Sequence, residues 1–283
     1  MIYSLYIGES AGVKALNFFI KKKKKISYVF SLDKQNIKQI KSICKKNKIK
    51  LFLKLPKNLN KIQKLTSRTN FIINIFSRFI IPNEILKKVK KSSFNIHPGR
   101  LPYYPGTNSV AGEIFNNEKY SALSVHEMNN KIDGGNILFI KKVKINNNDL
   151  AIDVWRKLFL KLNHSIDELI NKLEKKKIKL QKNIYAKRKF FPKYIPNNGI
   201  IKKNYTKKKL LKLYKAGNLY PYKSSWGYLK FVYKNKVYII KNLKIKKKKY
   251  KTFIIKKQFD DYNFILNTNN NTIYVYAIKN NEL

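Results

Sequence analysis

Two short segments of the chain hold the residues whose types and spacing could do chemistry. The first, FNIHPGRLPYYPG at residues 94–106, ends an apolar run in Asn95-Ile96-His97 and passes into a loop rich in proline and glycine. Alternation along an extended segment puts Asn95 and His97 on the same side. An amide donor beside an imidazole can polarise a carbonyl, steady a developing oxyanion and relay a proton near neutral pH. The second segment, NNKIDGGNI at residues 129–137, offers Asp133 ahead of Gly134 and Gly135, whose lack of side chains permits close backbone approach. Singly, each signal has a plainer explanation. A histidine at a strand end is commonly satisfied by a backbone carbonyl, and an aspartate before two glycines is commonly a turn residue. Together they form a useful set, because a carboxylate can orient an imidazole and stabilise its charged form.

The elements that must position this set follow from the hydrophobic pattern. Residues 2–7, 26–31, 50–54, 71–75 and 93–97 read as short apolar strands. Between them, residues 13–20, 34–46 and 83–90 carry apolar positions at helical spacing, with Pro82 opening the last. This rhythm implies an α/β fold: a Rossmann-like, mostly parallel sheet with helices on both faces. In such sheets sites form beyond the carboxyl ends of strands, where the loop after His97 lies. Residues 71–75 are the most apolar and suit the sheet centre. Further on, 109–116 reads as a helix, 122–128 and 137–145 as strands, and 150–176 as a long amphipathic helix. Residues 177–200 have the composition of a linker. After a short helix at 206–216, period-two alternation at 228–233, 236–241, 250–255, 264–267 and 272–277 predicts a small C-terminal antiparallel, β-barrel-like domain.

Composition narrows the classes. The 283 residues are 43% hydrophobic and 13% aromatic, enough to bury a sizeable core. One cysteine, Cys44, excludes a disulfide framework and a multi-cysteine metal site, and three histidines leave little for a histidine-rich one. No metal is expected. His126, on the strand before the Asp133 loop, and His164, within the long helix, read as structural. No apolar run is long enough to span a membrane, and the first residues lack the pattern of a secretory leader, so a cytoplasmic protein without a membrane partner is expected. The formal charge of +48 comes from 63 basic and 15 acidic residues. Such a field attracts polyanions. Only five of the 63 are arginine, however, and Lys, Asn, Ile, Tyr and Phe are enriched together, as coding bias toward A and T would produce.

Asn95-x-His97, Leu101-Pro102, Gly106 and Ile132-Asp133-x-Gly135 together resemble the signature of the 10-formyltetrahydrofolate-dependent formyltransferases, over most of residues 1–145. Phe79-Ile80-Ile81-Pro82 is similar to that family's apolar segment beside the folate pocket. The resemblance implies 10-formyltetrahydrofolate as co-substrate and no metal. By it, Asn95 would polarise the formyl carbonyl, His97 would assist proton transfer from the attacking amine, and Asp133 would tune His97. Ile80, Ile81, Pro82, Leu101, Pro102, Asn129, Asn130 and Ile132 would border the donor, while Arg100 and Gly106 would face the acceptor, Arg100 meeting a phosphate or folate carboxylate. It also implies a catalytic domain at 1–185, a linker at 186–200 and a β domain at 201–283.

The acceptor stays open between two amines. Asn198-Gly199-Ile200-Ile201 and Pro221-Tyr222 loosely resemble the C-terminal domain of methionyl-tRNA formyltransferases, and the charge suits tRNA. The short segment at 31–38, and His126-Glu127-Met128, look more like members that act on amino-sugar nucleotides. Initiator methionyl-tRNA is the favoured partner, with an amino-sugar nucleotide or another small amine the alternative and a monomer expected. Hydrolysis of the formyl-folate and non-catalytic RNA binding on the same scaffold are carried beside them.

Overall fold

Short runs of β-branched and aromatic residues alternate with helix formers through the first half of the chain, and the computed structural model shows the expected elements there. It describes residues 1–56, 58–189, 191–247, 255–257, 262–267 and 271–279. In chain order these are β1 (Ile2–Ile7), α1 (Glu9–Lys21), β2 (Lys25–Phe30), α2 (Ile37–Lys46), β3 (Lys50–Phe52), α3 (Asn60–Thr66), β4 (Phe71–Ile75), α4 (Asn83–Leu86) and β5 (Ser92–Pro98). Then come α5 (Ser109–Phe115), β6 (Tyr120–Glu127), β7 (Ile137–Lys144), α6 (Ala151–Glu174) and α7 (Lys207–Gly217). The last strands are β8 (Lys230–Tyr233), β9 (Lys236–Lys247), β10 (Ile255–Lys257), β11 (Asn263–Asn267) and β12 (Asn271–Lys279).

Among the described residues, the first sheet has seven strands in the order β3-β2-β1-β4-β5-β6-β7. Strands β1 to β5 pair in parallel, and β6 pairs antiparallel with β5. The strand order reverses between β1 and β4, as in doubly wound sheets. All five residues of β4, the expected central strand, are buried. On one face Tyr6, Tyr28, Phe30, Ile62, Ile72, Ile81 and Ile85 form a core cluster. α1 buries Ala11, Val13, Ala15, Leu16 and Phe19. Its Gly12 lies so close to β1 that a Cβ there would meet the Ile7 Cβ at 2.7 Å. α6 buries Val154, Leu158, Leu162, Ile166, Leu169 and Leu173, the stripe its periodicity predicts.

α3 has no counterpart among the sequence expectations. Its seven residues bury only Ile62 and Thr66, too little pattern for a periodicity to emerge. β9 extends beyond the expected end at 241 to Lys247, and β10 begins at Ile255. The expected strand positions at 250–254 lie outside the described residues.

Contacts divide the chain into two compact units. One comprises Met1–Gly106, Ser121–Val143 and Lys157–Lys189, and the other Thr107–Tyr120, Lys144–Arg156 and Phe190–Leu283. Within the second, five strands form an antiparallel sheet in the order β10-β11-β12-β9-β8. Ile273, Val275 and Ala277 of β12 are its buried alternate positions, and the rings of Phe231, Tyr238 and Phe264 pack together at 4.9–5.3 Å. Phe115, Phe191 and Trp226 form another aromatic cluster there, with centroids 5.0–5.9 Å apart. No helix among the described residues is long and apolar enough to cross a membrane.

Ile73 stands at the centre of the first sheet, between Leu5 and Phe94 in register and fully buried. Ile73→Ala should lower the unfolding free energy by about 3 kcal/mol through lost transfer energy and the cavity left behind. Urea titration followed by circular dichroism measures it.

Candidate active site

The loop after β5 and the loop after β6 converge on Asp133, whose side chain is 10% exposed. Its Oδ2 accepts from the Gly106 N–H at 2.7 Å and lies 3.4 Å from His97 Nδ1. Its Oδ1 accepts from Asn95 Nδ2 at 3.0 Å and lies 3.2 Å from His126 Nε2. Of the three residues that the sequence singled out for chemistry, Asp133 therefore contacts both others, with Asn95 38 positions away in the chain.

Register explains the cluster. Asn95 lies opposite His126 and His97 opposite Ser124 across the antiparallel β5–β6 pair, so all four share one face. Ser124 Oγ donates to Gly99 O at 2.6 Å and accepts from the Leu101 N–H at 3.1 Å, which ties the proline-rich loop to β6. Gly106 turns at a φ of 78°, a left-handed conformation that favours glycine, and presents its N–H to Asp133. Asp133 itself has a φ of 45°. In the Asp133 loop, a Cβ at Gly135 would fall 1.9 Å from the Glu127 carbonyl oxygen, so only glycine fits.

The hydrogen bonds fix the imidazole tautomers. His97 Nε2 donates to Tyr104 O at 2.8 Å, which leaves Nδ1 toward Asp133 as the proton-accepting nitrogen of the neutral ring. His126 Nδ1 donates to Glu127 O at 2.6 Å, so its Nε2 accepts from Asn95 Nδ2 at 3.1 Å. Burial pushes His97 below the ordinary imidazole value of 6.5, against the opposing pull of Asp133. Burial works against ionisation of Asp133, but attraction to the charged forms of the His97 and His126 rings and the Gly106 N–H hold the carboxyl well below its ordinary 3.8. The result is a buried carboxylate facing an imidazole with room for one more proton between them. Protonating His97 creates an ion pair with a carboxylate only 10% exposed.

The remaining candidates are spread more widely. Leu101 is buried, and its peptide to the half-buried Pro102 is cis. Arg100 stacks over the Tyr103 ring at 4.7 Å. Ile81 belongs to the core cluster beside Tyr6 and Ile85, whereas its neighbour Ile80 is 74% exposed. Pro82 caps α4. Asn129, Asn130 and Ile132 are exposed, with Asn129 Oδ1 accepting from the Lys131 N–H.

His126, read as structural from the sequence, is in the cluster, hydrogen-bonded to Asn95 and 3.2 Å from Asp133. Residues 181–189, read as part of a linker, are bound to the Asp133 loop: Asn183 Nδ2 donates to the carbonyls of Asp133 and Gly135. Among the described residues, no group of three or more His, Cys, Asp or Glu side chains is placed to hold a metal ion.

Stability should fall on acidification in two windows of the same sign. Below about pH 6.5 the unfolded chain binds a proton that folded His97 resists, so the unfolded state carries more protons and gains on the native state. As pH falls below about 3.8 the same holds for Asp133, whose stabilising contribution is lost on descent through its lowered folded value. The urea midpoint of the wild type should drop between about pH 7.5 and pH 5, and His97→Gln should flatten that slope. Parallel curves for the two proteins would reject a buried, neutral His97.

Residues 18–166, more than half of the chain, match the family model described as formyl transferase. GDP-perosamine N-formyltransferase of Brucella melitensis is 36% identical over 105 residues, a stretch covering 37% of this chain and 40% of that one. Methionyl-tRNA formyltransferase of Prochlorococcus marinus is 29% identical over 179 residues, covering 56% and 54%. The chain thus spans from two-fifths to about half the length of these curated relatives. The crystal structure of an N-formyltransferase from Helicobacter canadensis, in complex with folinic acid and dTDP-3-aminofucose, shares the fold. Its TM-score is 0.71 at 20% identity, covering 98% of this chain and 100% of that one. With residues 18–166 matched and the Asn95, His97 and Asp133 cluster lying inside that stretch, the chain belongs to the formyl transferase family.

Proposed function

We propose that this protein transfers a formyl group from 10-formyltetrahydrofolate to the amino group of methionyl-tRNA. The observation that carries the reaction type is the buried contact of Asn95, His97 and Asp133. The amine nitrogen attacks the formyl carbon, the new C–N bond forms, and the bond from that carbon to N10 of the folate breaks. Asn95 Nδ2 donates to the formyl oxygen as it gains negative charge. In the structure both Nδ2 hydrogens are engaged, by His126 and Asp133, so the formyl oxygen would take the place of one of them. The attacking amine loses a proton that His97 Nδ1 accepts, and Asp133 stabilises the imidazolium 3.4 Å away. The same proton is then available to N10 of the leaving tetrahydrofolate. A carboxylate already ionised in a water-poor site makes that charge separation cheaper than it would be in bulk solvent.

Charge supports methionyl-tRNA as the acceptor. A net +48 favours a polyphosphate partner, and the relatives include methionyl-tRNA formyltransferases. A second reading, transfer to an amino-sugar nucleotide, is favoured by the likeness to GDP-perosamine N-formyltransferase and by the length of the Helicobacter canadensis match. Under either reading, Ile80, Ile132 and the loop at 101–102 would border the donor and Arg100 would face acceptor phosphate.

Release of tetrahydrofolate by the purified protein, at fixed salt, separates the readings. Turnover is expected with charged initiator methionyl-tRNA and not with an amino-sugar nucleotide. The reverse result would move the assignment to the sugar, and turnover without acceptor would make the protein a hydrolase. Asn95→Ala and Asp133→Asn should each lower kcat by about 100-fold or more, the usual cost of losing a preorganised charge-stabilising group. RNA affinity should be retained in both. Wild-type protein that binds RNA but never turns over would leave only a binding module.

A further inference from the structure

Residues 181–189 follow α6 and contact both loops that carry the catalytic residues. Gln181 exchanges two backbone hydrogen bonds with Ile137, each 2.8 Å, where the Asp133 loop ends. Asn183 Nδ2 donates to Asp133 O at 2.8 Å and to Gly135 O at 2.9 Å. Arg188 Nη2 donates to Ile132 O at 3.1 Å and to Asp133 O at 3.2 Å. The next residue, Lys189, donates its N–H to Tyr103 O at 2.8 Å, beside the Tyr104 carbonyl that receives His97 Nε2.

Asp133 sits in the left-handed region, which a non-glycine residue keeps only where its surroundings hold it. Its carboxylate is held by Gly106 and Asn95, but those bonds depend on the backbone staying where it is. That backbone is held at three carbonyls, those of Ile132, Asp133 and Gly135, by two side chains of one strap. The Oδ1 of Asn183 is buried without a hydrogen-bond partner among the described residues. An unmatched buried acceptor costs stability, so the amide is explained by its two donors.

We propose that Asn183 and Arg188 are positioning residues that aim the Asp133 carboxylate at His97, and that the strap 181–189 couples the Asp133 loop to the His97 loop. The proposal rests on the reading of Asn95, His97 and Asp133 as the catalytic set. The neutral substitution Asn183→Ala removes two donors without altering charge. Arg188→Lys keeps the charge near His97 and removes the planar fork.

The test uses the full chain and two readouts. The first is the titration of His97 followed by NMR of its ring nitrogens, with no substrate present. The groups that bear on that ring are Asp133, His126 and Arg188. Loosening Asp133 removes attraction for the imidazolium, so in Asn183→Ala the titration should move to lower pH by about half a unit or more. The second is steady-state kinetics. kcat should fall by about 10- to 100-fold for a displacement on the ångström scale, with KM for the donor within about twofold. Asn183→Gln, which keeps both donors on a longer arm, should recover part of the rate, and Arg188→Lys should repeat the pattern more weakly. A folded Asn183→Ala protein with wild-type kcat and an unmoved His97 titration overturns the proposal. If Asn183→Ala does not fold, Arg188→Lys carries the same two outcomes. If the wild type releases no tetrahydrofolate, the functional reading fails by itself; the NMR titration still supports the strap if it shifts and overturns it if it does not.

Discussion

Taking a carboxylate out of water is costly unless donors replace the solvent around it, and the arrangement around Asp133 is the set of those replacements. Gly106 supplies an N–H, which requires the loop from Pro98 to turn back at a left-handed glycine. Asn95 supplies an amide from the β5–β6 face, which requires the antiparallel register that sets Asn95 opposite His126, and a proton taken up by either facing ring would add a further donor. Ser124, two pairs further along on the same face, fastens the loop that carries Gly106. A shift of one residue in this register would turn all of these side chains to the other face of the sheet. The candidate chemistry and the local fold thus answer to one constraint: an ionised group that has to stay buried.

What the sequence made legible was local. Asn95 and His97 share a face because strands alternate, and α6 declared itself by a stripe that repeats for six turns. Ile80 and Ile81 show the limit of this reasoning. Adjacent residues in a connecting segment face different ways, and only the packing against Tyr6 and Ile85 decides that Ile81 is the buried one. His126 escaped because its nearness to Asn95 depends on a strand pairing across 31 positions. Asn183 and Arg188 escaped for a related reason. They lie about 50 positions beyond Asp133, in a stretch whose lysine and asparagine content suggests a solvated connection. Hydrogen bonds from a side chain to distant carbonyls leave no periodicity behind.

The charge imbalance also has a structural counterpart. Four of the 15 acidic residues lie on α6: Asp153 pairs with Arg156, and Asp167, Glu168 and Glu174 meet Lys22, Lys141 and Lys24. Glu174 in addition accepts from the Tyr3 hydroxyl of β1. Exposed pairs of this kind contribute little individually, but in so basic a chain they also dilute repulsion where a helix packs on the sheet. Lysines elsewhere lie over aromatic rings, as Lys241 does over Tyr220 at 4.2 Å and Lys209 over Tyr205 at 4.4 Å. Lysine here doubles as an apolar cover through its stem.

The turn from β1 into α1 differs in use from its counterpart in nucleotide-binding sheets, where a helix start receives phosphate. Gly8 donates its N–H to Ile75 O at 3.0 Å, and a Cβ there would stand 2.5 Å from the Phe76 carbonyl oxygen. Glu9, in the first turn of the helix, pairs with Arg78 at 3.1 Å. The Gly8 amide is thus taken by the chain's own backbone, and the first turn of the helix already carries an acid. A phosphate on the proposed acceptor would therefore meet a like charge at this turn, and cationic side chains elsewhere would have to supply its contacts. Recognition of that kind tolerates many phosphate shapes, weakens steeply as salt rises, and leaves selectivity to the amine end of the molecule.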